Sequence, residues 1–144
     1  MSPQSTSVCR YVAVGLKGPD KNLIKVYDTR TLNLRVRLES ADMSSSPYKS
    51  LCFSPDSTRL MSVVGSPDFV LTVWDWEKER VLQSEMLGVK VASKYFQCSF
   101  CSYDPTLVCV SGYKFLRFLK IQTNNKFQHI ETKGKVPTPL FATH

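Results

Sequence analysis

Apolar and polar side chains alternate with a period of two along much of the chain. In Leu32–Glu39, the residues Leu32, Leu34, Val36 and Leu38 fall on one face, and Asn33, Arg35, Arg37 and Glu39 on the other. That pattern marks a strand with one covered face. Phe69–Trp74 is apolar on both faces, with Phe69, Leu71 and Val73 alternating with Val70 and Trp74. Such a strand needs cover on both sides. No segment shows the three-to-four spacing of an amphipathic helix, so the pattern predicts an all-β chain.

The strands recur. YVAVG, LMSVVG and LVCVSG each end in glycine, at positions 15, 65 and 112. Each is followed by a second apolar strand, LIKVYD, VLTVWD or FLRFLK, with Tyr27, Trp74 and Leu119 at matching positions. A third strand follows, clear in LNLRVRLE and weaker in VLQSEML and KFQHIET. A strand also precedes two of the glycine-ended ones, in YKSLCF and KYFQCSF. Gly18-Pro19-Asp20, Ser66-Pro67-Asp68, Ser54-Pro55-Asp56-Ser57 and Tyr103-Asp104-Pro105 supply proline and aspartate for tight turns between strands. Four strands recurring every 40–50 residues or so are the sequence signature of a propeller blade.

Ser50–Leu82 resembles the WD-repeat family. It carries an F-S-P-D turn at Phe53–Asp56 and a V-W-D ending at Val73–Asp75. The resemblance implies a β-propeller of four-stranded antiparallel blades. Trp74 and Trp76 read as packing groups, Trp74 between blades and Trp76 near a blade rim, against the alternative of a ligand-stacking pair. No Gly-His dipeptide precedes a blade, so the family's Asp-His-Ser-Trp network is incomplete and Asp75 is expected only to cap a turn. A narrower resemblance is to cilia- and flagella-associated WD-repeat proteins. It is carried by Trp74, Trp76, Glu77 and Lys78, and then by Val108, Cys109, Val110, Gly112 and Lys114–Phe118. It implies a scaffold in a ciliary, axonemal microtubule-associated complex, with tubulin or axonemal proteins as partners.

Composition refines this picture. The chain has 144 residues and a net charge of +7. Residues 1–83 hold 11 basic and 9 acidic side chains, and residues 84–144 hold 8 and 3. The basic half favours an acidic partner. Lys114, Arg117, Lys120, Lys126, Lys133 and Lys135 are its candidate partner-binding residues, with Arg117 on the opposite strand face from Lys114 and Lys120. The competing reading is a general scaffold of a cytoplasmic or nuclear complex that touches nucleic acid through this half. Nucleic acid is the less expected partner, because most of Tyr95, Tyr103 and Tyr113 are expected to be buried.

The five cysteines read as buried free thiols. Cys98 and Cys101 form a C-x-x-C without a second ligand pair, so neither a metal nor another cofactor is expected. His129 has no acidic partner in view, and neither G-x-S-x-G nor a phosphate-cradling glycine loop occurs, so no enzyme activity is expected. The MSPQSTSV start is not a secretory signal and no apolar run is long enough to span a bilayer, so the expected setting is cytoplasm and cytoskeleton without membrane contact.

The expected organisation is a flexible segment over 1–9, blades over roughly 10–39, 46–87 and 92–134, and a further unit begun at 135–144; the first unit lacks an outer strand unless the poorly patterned Ser2–Val8 segment supplies it. Closed propellers hold about four to eight blades. About three blades form an open propeller, and residues such as Leu107, Val108, Val110, Phe115, Leu116 and Phe118 on its last unit would be partly wet. Such a chain is expected to self-associate or to require another chain or further blades.

Overall fold

The computed structural model describes residues 4–8, 10–18, 21–39, 47–65, 69–87, 96–112 and 115–130. Among these residues, twelve strands make three four-stranded antiparallel sheets, with one 3-10 turn at Trp76–Lys78 and no α-helix. Blade 1 comprises β1 (Gln4–Val8), β2 (Tyr11–Lys17), β3 (Asn22–Asp28) and β4 (Asn33–Glu39). Blade 2 comprises β5 (Tyr48–Phe53), β6 (Leu60–Val64), β7 (Val70–Asp75) and β8 (Arg80–Met86). Blade 3 comprises β9 (Phe96–Cys101), β10 (Asp104–Gly112), β11 (Phe115–Ile121) and β12 (Phe127–Ile130). Each blade is a meander in chain order. The first strands neighbour one another, β1 beside β5 and β5 beside β9, so the blades fan out from a common inner line.

Cover on two faces explains the burial. In blade 2, every residue of β6 is buried, as are Leu71, Thr72, Val73 and Trp74 of β7. In blade 1, β3 instead alternates strictly between buried and half-buried residues. Among the described residues the middle blade has a neighbour on each side and the flanking blades have one.

Cross-strand register assigns the faces. Ala13 pairs with Val26 and Gly15 with Ile24 on the face of blade 1 that meets blade 2. There they pack on Leu60, Val64, Trp74 and Trp76. Met61 pairs with Val73 and Val63 with Leu71 on the other face of blade 2. These meet Val108, Val110, Leu119 and Ile121 of blade 3. Each seam thus joins the forward face of one blade to the backward face of the next.

The seams differ in chemistry. The first is aromatic. Trp76 is fully buried, edge-on to Tyr11 at 4.8 Å and to Phe53 at 5.8 Å between ring centroids. Its Nε1 donates to the Ser57 carbonyl at 2.8 Å. Trp74 Nε1 donates to Ser62 Oγ at 3.0 Å, which satisfies a buried indole. Gly15 permits this approach: a Cβ there would lie 2.9 Å from Tyr48 Cδ2. The second seam is mainly aliphatic.

The turns fold on their own side chains. Asp56 Oδ1 accepts from Ser54 Oγ at 2.6 Å and from Thr58 N and Oγ1 at 3.1 and 2.8 Å. Desolvation raises its pKa, but these donors outweigh it and the carboxyl sits below its ordinary range. Asp104 likewise accepts from Thr106 N and Oγ1 after Tyr103.

Several expectations are corrected. Gln4–Val8, read as part of a flexible leader, forms β1 and pairs with β2 from Gln4↔Gly15 to Val8↔Tyr11. A backbone ladder needs no apolar alternation, so the weak pattern of Ser2–Val8 left open whether it supplied a strand, and it supplies the one beside β5 and not an outer one. Leu32 is not in a strand. It occupies the turn before β4 at φ 61° and is 80% exposed, and Leu34 is also exposed, so only Val36 and Leu38 reach the core side. Phe69 precedes β7 at φ 50° with its ring buried in the second seam. The glycines are not all equivalent either. Val12↔Tyr27, Leu60↔Trp74 and Val108↔Leu119 are the matching pairs, which puts Gly112 on the opposite face from Gly15 and Gly65. Trp76, expected near a blade rim, follows the end of β7 and is fully buried in the first seam. Asp75 makes no side-chain cap and lies 3.8 Å from Arg80. The expected turns at 19–20 and 66–68 and the unit begun at 135–144 lie outside the described residues.

Trp76→Ala is expected to destabilise the chain by about 3–5 kcal/mol, because it empties the first seam. Leu34→Ala is expected to change stability by less than about 0.5 kcal/mol. Urea unfolding followed by circular dichroism checks the contrast.

Candidate interaction surfaces

The six basic candidates do not form one described patch. Lys120, on β11, and Lys126, in the turn before β12, are exposed. Lys114, Lys133 and Lys135 lie outside the described residues. Arg117 is on the backward face of blade 3, opposite Val110, and is half-buried. Its guanidinium donates to the Leu87 carbonyl of blade 2 at 2.8 Å. Arg117 therefore ties a seam, whereas Lys120, three residues along the strand, points from the forward face.

A second polar tie crosses the same seam. His129 Nε2 lies 3.2 Å from Glu85 Oε1, so the histidine without an apparent partner in the sequence has one on the neighbouring blade. No local signal reveals it, because 44 residues separate the two. Ser50 was also missed: its hydroxyl accepts the Cys98 amide at 3.1 Å and lies 3.3 Å from Cys98 Sγ. A serine inside an apolar strand was the available clue.

Cys52, Cys98, Cys101 and Cys109 are free thiols, with Cys98 buried and the others half-buried. Cys98 and Cys101 are three apart on a strand, which directs them to opposite faces. Desolvation pushes the Cys98 thiol up to about 12, and burial also raises Cys52 and Cys109. Among the described residues no cluster of three or more histidine, cysteine, aspartate or glutamate side chains could hold a metal ion. No described helix is long and apolar enough to cross a membrane. Of the three tyrosines of which most were expected to be buried, Tyr103 is 86% exposed in the β9–β10 turn. Tyr95 and Tyr113 lie outside the described residues.

Among the described residues, the outer faces of the arc carry half-buried apolar side chains. On blade 1, Val12, Val14, Leu16, Leu23 and Tyr27 are half-buried on the backward face. On blade 3, Leu107, Cys109, Leu116 and Phe118 are half-buried on the forward face, and Ile130 beside Phe118 is 38% exposed. Blade 3 thus separates the residues expected to be wet: Val108 and Val110 are buried in a seam, while Leu107, Leu116 and Phe118 are on the outer side. The side chain of Phe115 is outside this description.

No family model matches the chain. It is 32% identical over 117 residues to the mouse (Mus musculus) cilia- and flagella-associated protein 57, a match that covers 76% of the chain but 9% of that relative. Among solved structures it is similar to the β-propeller domain of Cps50 (Swd1) from Myceliophteria thermophila, with a TM-score of 0.66 and 13% identity. That match covers 90% of the chain and 38% of the solved one. It is also similar to Hsv2 from Kluyvelomyces marxianus, with a TM-score of 0.71 and 13% identity, covering 89% and 46% respectively.

Removing Arg117 as Arg117→Ala is expected to cost about 1–3 kcal/mol, since it strips the buried Leu87 carbonyl of a charged donor. Lys120→Ala and Lys126→Ala are expected to leave stability nearly unchanged. Thermal melts compare the three. In the folded protein Cys98 is expected to resist alkylation at pH 8, and mass spectrometry after iodoacetamide treatment reads this directly.

Proposed function

We propose that this chain, an arc of WD-repeat β-propeller blades, is a non-catalytic scaffold in a ciliary, axonemal microtubule-associated complex. The likeness to a cilia- and flagella-associated protein carries the ciliary part of this reading. The fold supports the scaffold part, because a propeller presents rigid turns and faces to protein partners and commonly does no chemistry of its own.

The basic second half gives the scaffold a means of approaching an acidic surface. Lys120 and Lys126 stand exposed on blade 3, and Lys114, Lys133 and Lys135 add charge in the same half of the sequence. Microtubule surfaces are acidic, and attraction between exposed charges weakens once the Debye length falls to about 8–10 Å near physiological salt. Arg117 is committed to its seam through Leu87, so the partner-binding role falls to the lysines.

Co-sedimentation with microtubules tests the direct contact. Pelleting is expected at low salt, with less at moderate salt. Lys120→Glu with Lys126→Glu should reduce it several-fold without altering the melting temperature. Folded protein that fails to pellet at either salt contradicts tubulin binding. A tagged chain that remains diffuse in ciliated cells contradicts the ciliary assignment itself.

A further inference from the structure

We propose that the β3–β4 turn of blade 1, with Leu32 at its tip between Arg30 and Arg35, is a docking point for an acidic peptide segment that carries one apolar side chain. This goes beyond the scaffold reading and does not rest on it. The turn closes the end of the blade, whereas blades meet through their faces, so the site does not depend on how many blades stand beside it.

Leu32 combines a backbone conformation and an exposure that the fold does not explain. Each blade turns from its third to its fourth strand through a residue of positive φ: Leu32 at 61°, Glu79 at 53° and Asn125 at 68°. Asparagine adopts this left-handed region readily, whereas a bulky branched side chain is strained there. Phe69, also strained at φ 50°, gains by burial and is 3% exposed in the second seam. Leu32 is 80% exposed. It bears the strain and a wet apolar surface together, and strain of this kind clusters at functional sites.

The turn is held from behind. Thr29 N and Oγ1 both donate to the Arg10 carbonyl, at 2.7 and 2.9 Å. Leu32 N donates to the Asp28 carbonyl at 2.7 Å, and Arg30 N to Asp28 Oδ1 at 2.9 Å. The Arg10 guanidinium lies 3.1 Å from the other oxygen of that carboxylate. These ties leave the side chains of Arg30 and Leu32 in solvent. A partner therefore meets a tip that is already ordered, which lowers the entropic cost of docking.

Charge selects the partner. From Thr29 to Leu38 the charged residues are Arg30, Arg35 and Arg37, with no carboxylate among them. Arg30 and Arg35 flank Leu32 in the sequence, and both are exposed. Asp28 is turned inward to Arg10, and the Arg35–Glu77 pair is loose at 3.9 Å with about half of each side chain in water. The tip thus offers one apolar knob flanked by two guanidinium groups. Guanidinium matches carboxylate in geometry as well as in charge. An apolar side chain with carboxylates on both sides suits this arrangement. A lipid surface suits it less, because a single leucine has little area to bury among acyl chains.

Fluorescence polarisation with a labelled peptide, glutamates on both sides of a central phenylalanine, tests this on the full chain. Saturable binding that weakens with salt is expected. Leu32→Asn is expected to weaken it about fivefold or more, the effect of losing one apolar contact. The same variant should melt a few degrees higher, because asparagine relieves the turn. Leu32→Gly should behave alike. Arg30→Gln and Arg35→Gln are each expected to weaken binding about two- to fivefold. Serine for the phenylalanine, or glutamine for the glutamates, should weaken the peptide as well. Met86→Ser removes an apolar side chain that is 65% exposed on blade 2, and is expected to leave binding unchanged. A parent chain that does not bind the peptide overturns the proposal. So does binding that both Leu32 variants leave intact, or a fall in their melting temperatures, which would make Leu32 a support of the fold. Leu32-dependent flotation with phosphatidylserine vesicles, without peptide binding, overturns it in favour of a lipid surface.

Discussion

The fold depends on one constraint: a sheet with apolar side chains on both faces must have a neighbour on each. β6 and β7 of the middle blade meet it, with Met61, Val63, Leu71 and Val73 on one side and Leu60, Val64 and Trp74 on the other, all buried. Burying one such side chain is worth about 1.5–3 kcal/mol, against a typical stability of about 5–15 kcal/mol for a domain. Covering both faces of one blade is therefore decisive. The same requirement, met on one side only, leaves Val12, Tyr27, Leu107 and Phe118 at the outer faces.

The two seams show how a divergent repeat keeps its architecture. Trp74 donates from its indole to the Ser62 hydroxyl, while Asp75 lies 3.8 Å from Arg80. The first seam gains a second tryptophan, Trp76, which holds the Ser57 carbonyl. The second seam has Leu119 where blade 2 has Trp74. It adds Arg117 on the Leu87 carbonyl, His129 near Glu85, and the Ser50 contact with Cys98. Packing is thus common to both seams, and the polar ties are particular to each.

Much of this was legible in the sequence. Recurring apolar runs located β2 through β12, and the two-faced apolar runs implied the stacked blades. The same signals failed wherever backbone or distant partners decide the structure. QSTSV carries no apolar pattern, yet its backbone completes blade 1. Leu32 continues an alternating run, but the chain turns there. The glycine alignment was off by one face in blade 3, because the period of two makes a single-residue shift reverse every side chain. Arg117 looked like one cation among six. Its role depends on a carbonyl 30 residues away, which strand alternation alone cannot indicate.

Native-state hydrogen exchange read by mass spectrometry tests the two-face constraint most directly. If cover on both sides sets local stability, amides of β6 and β7 exchange slowest, at the rate of global unfolding. Those of β1 through β3 and β10 through β12 then open earlier under conditions where the chain is monomeric. Equal protection across the three blades, or a middle blade that opens before either flank, would contradict the account.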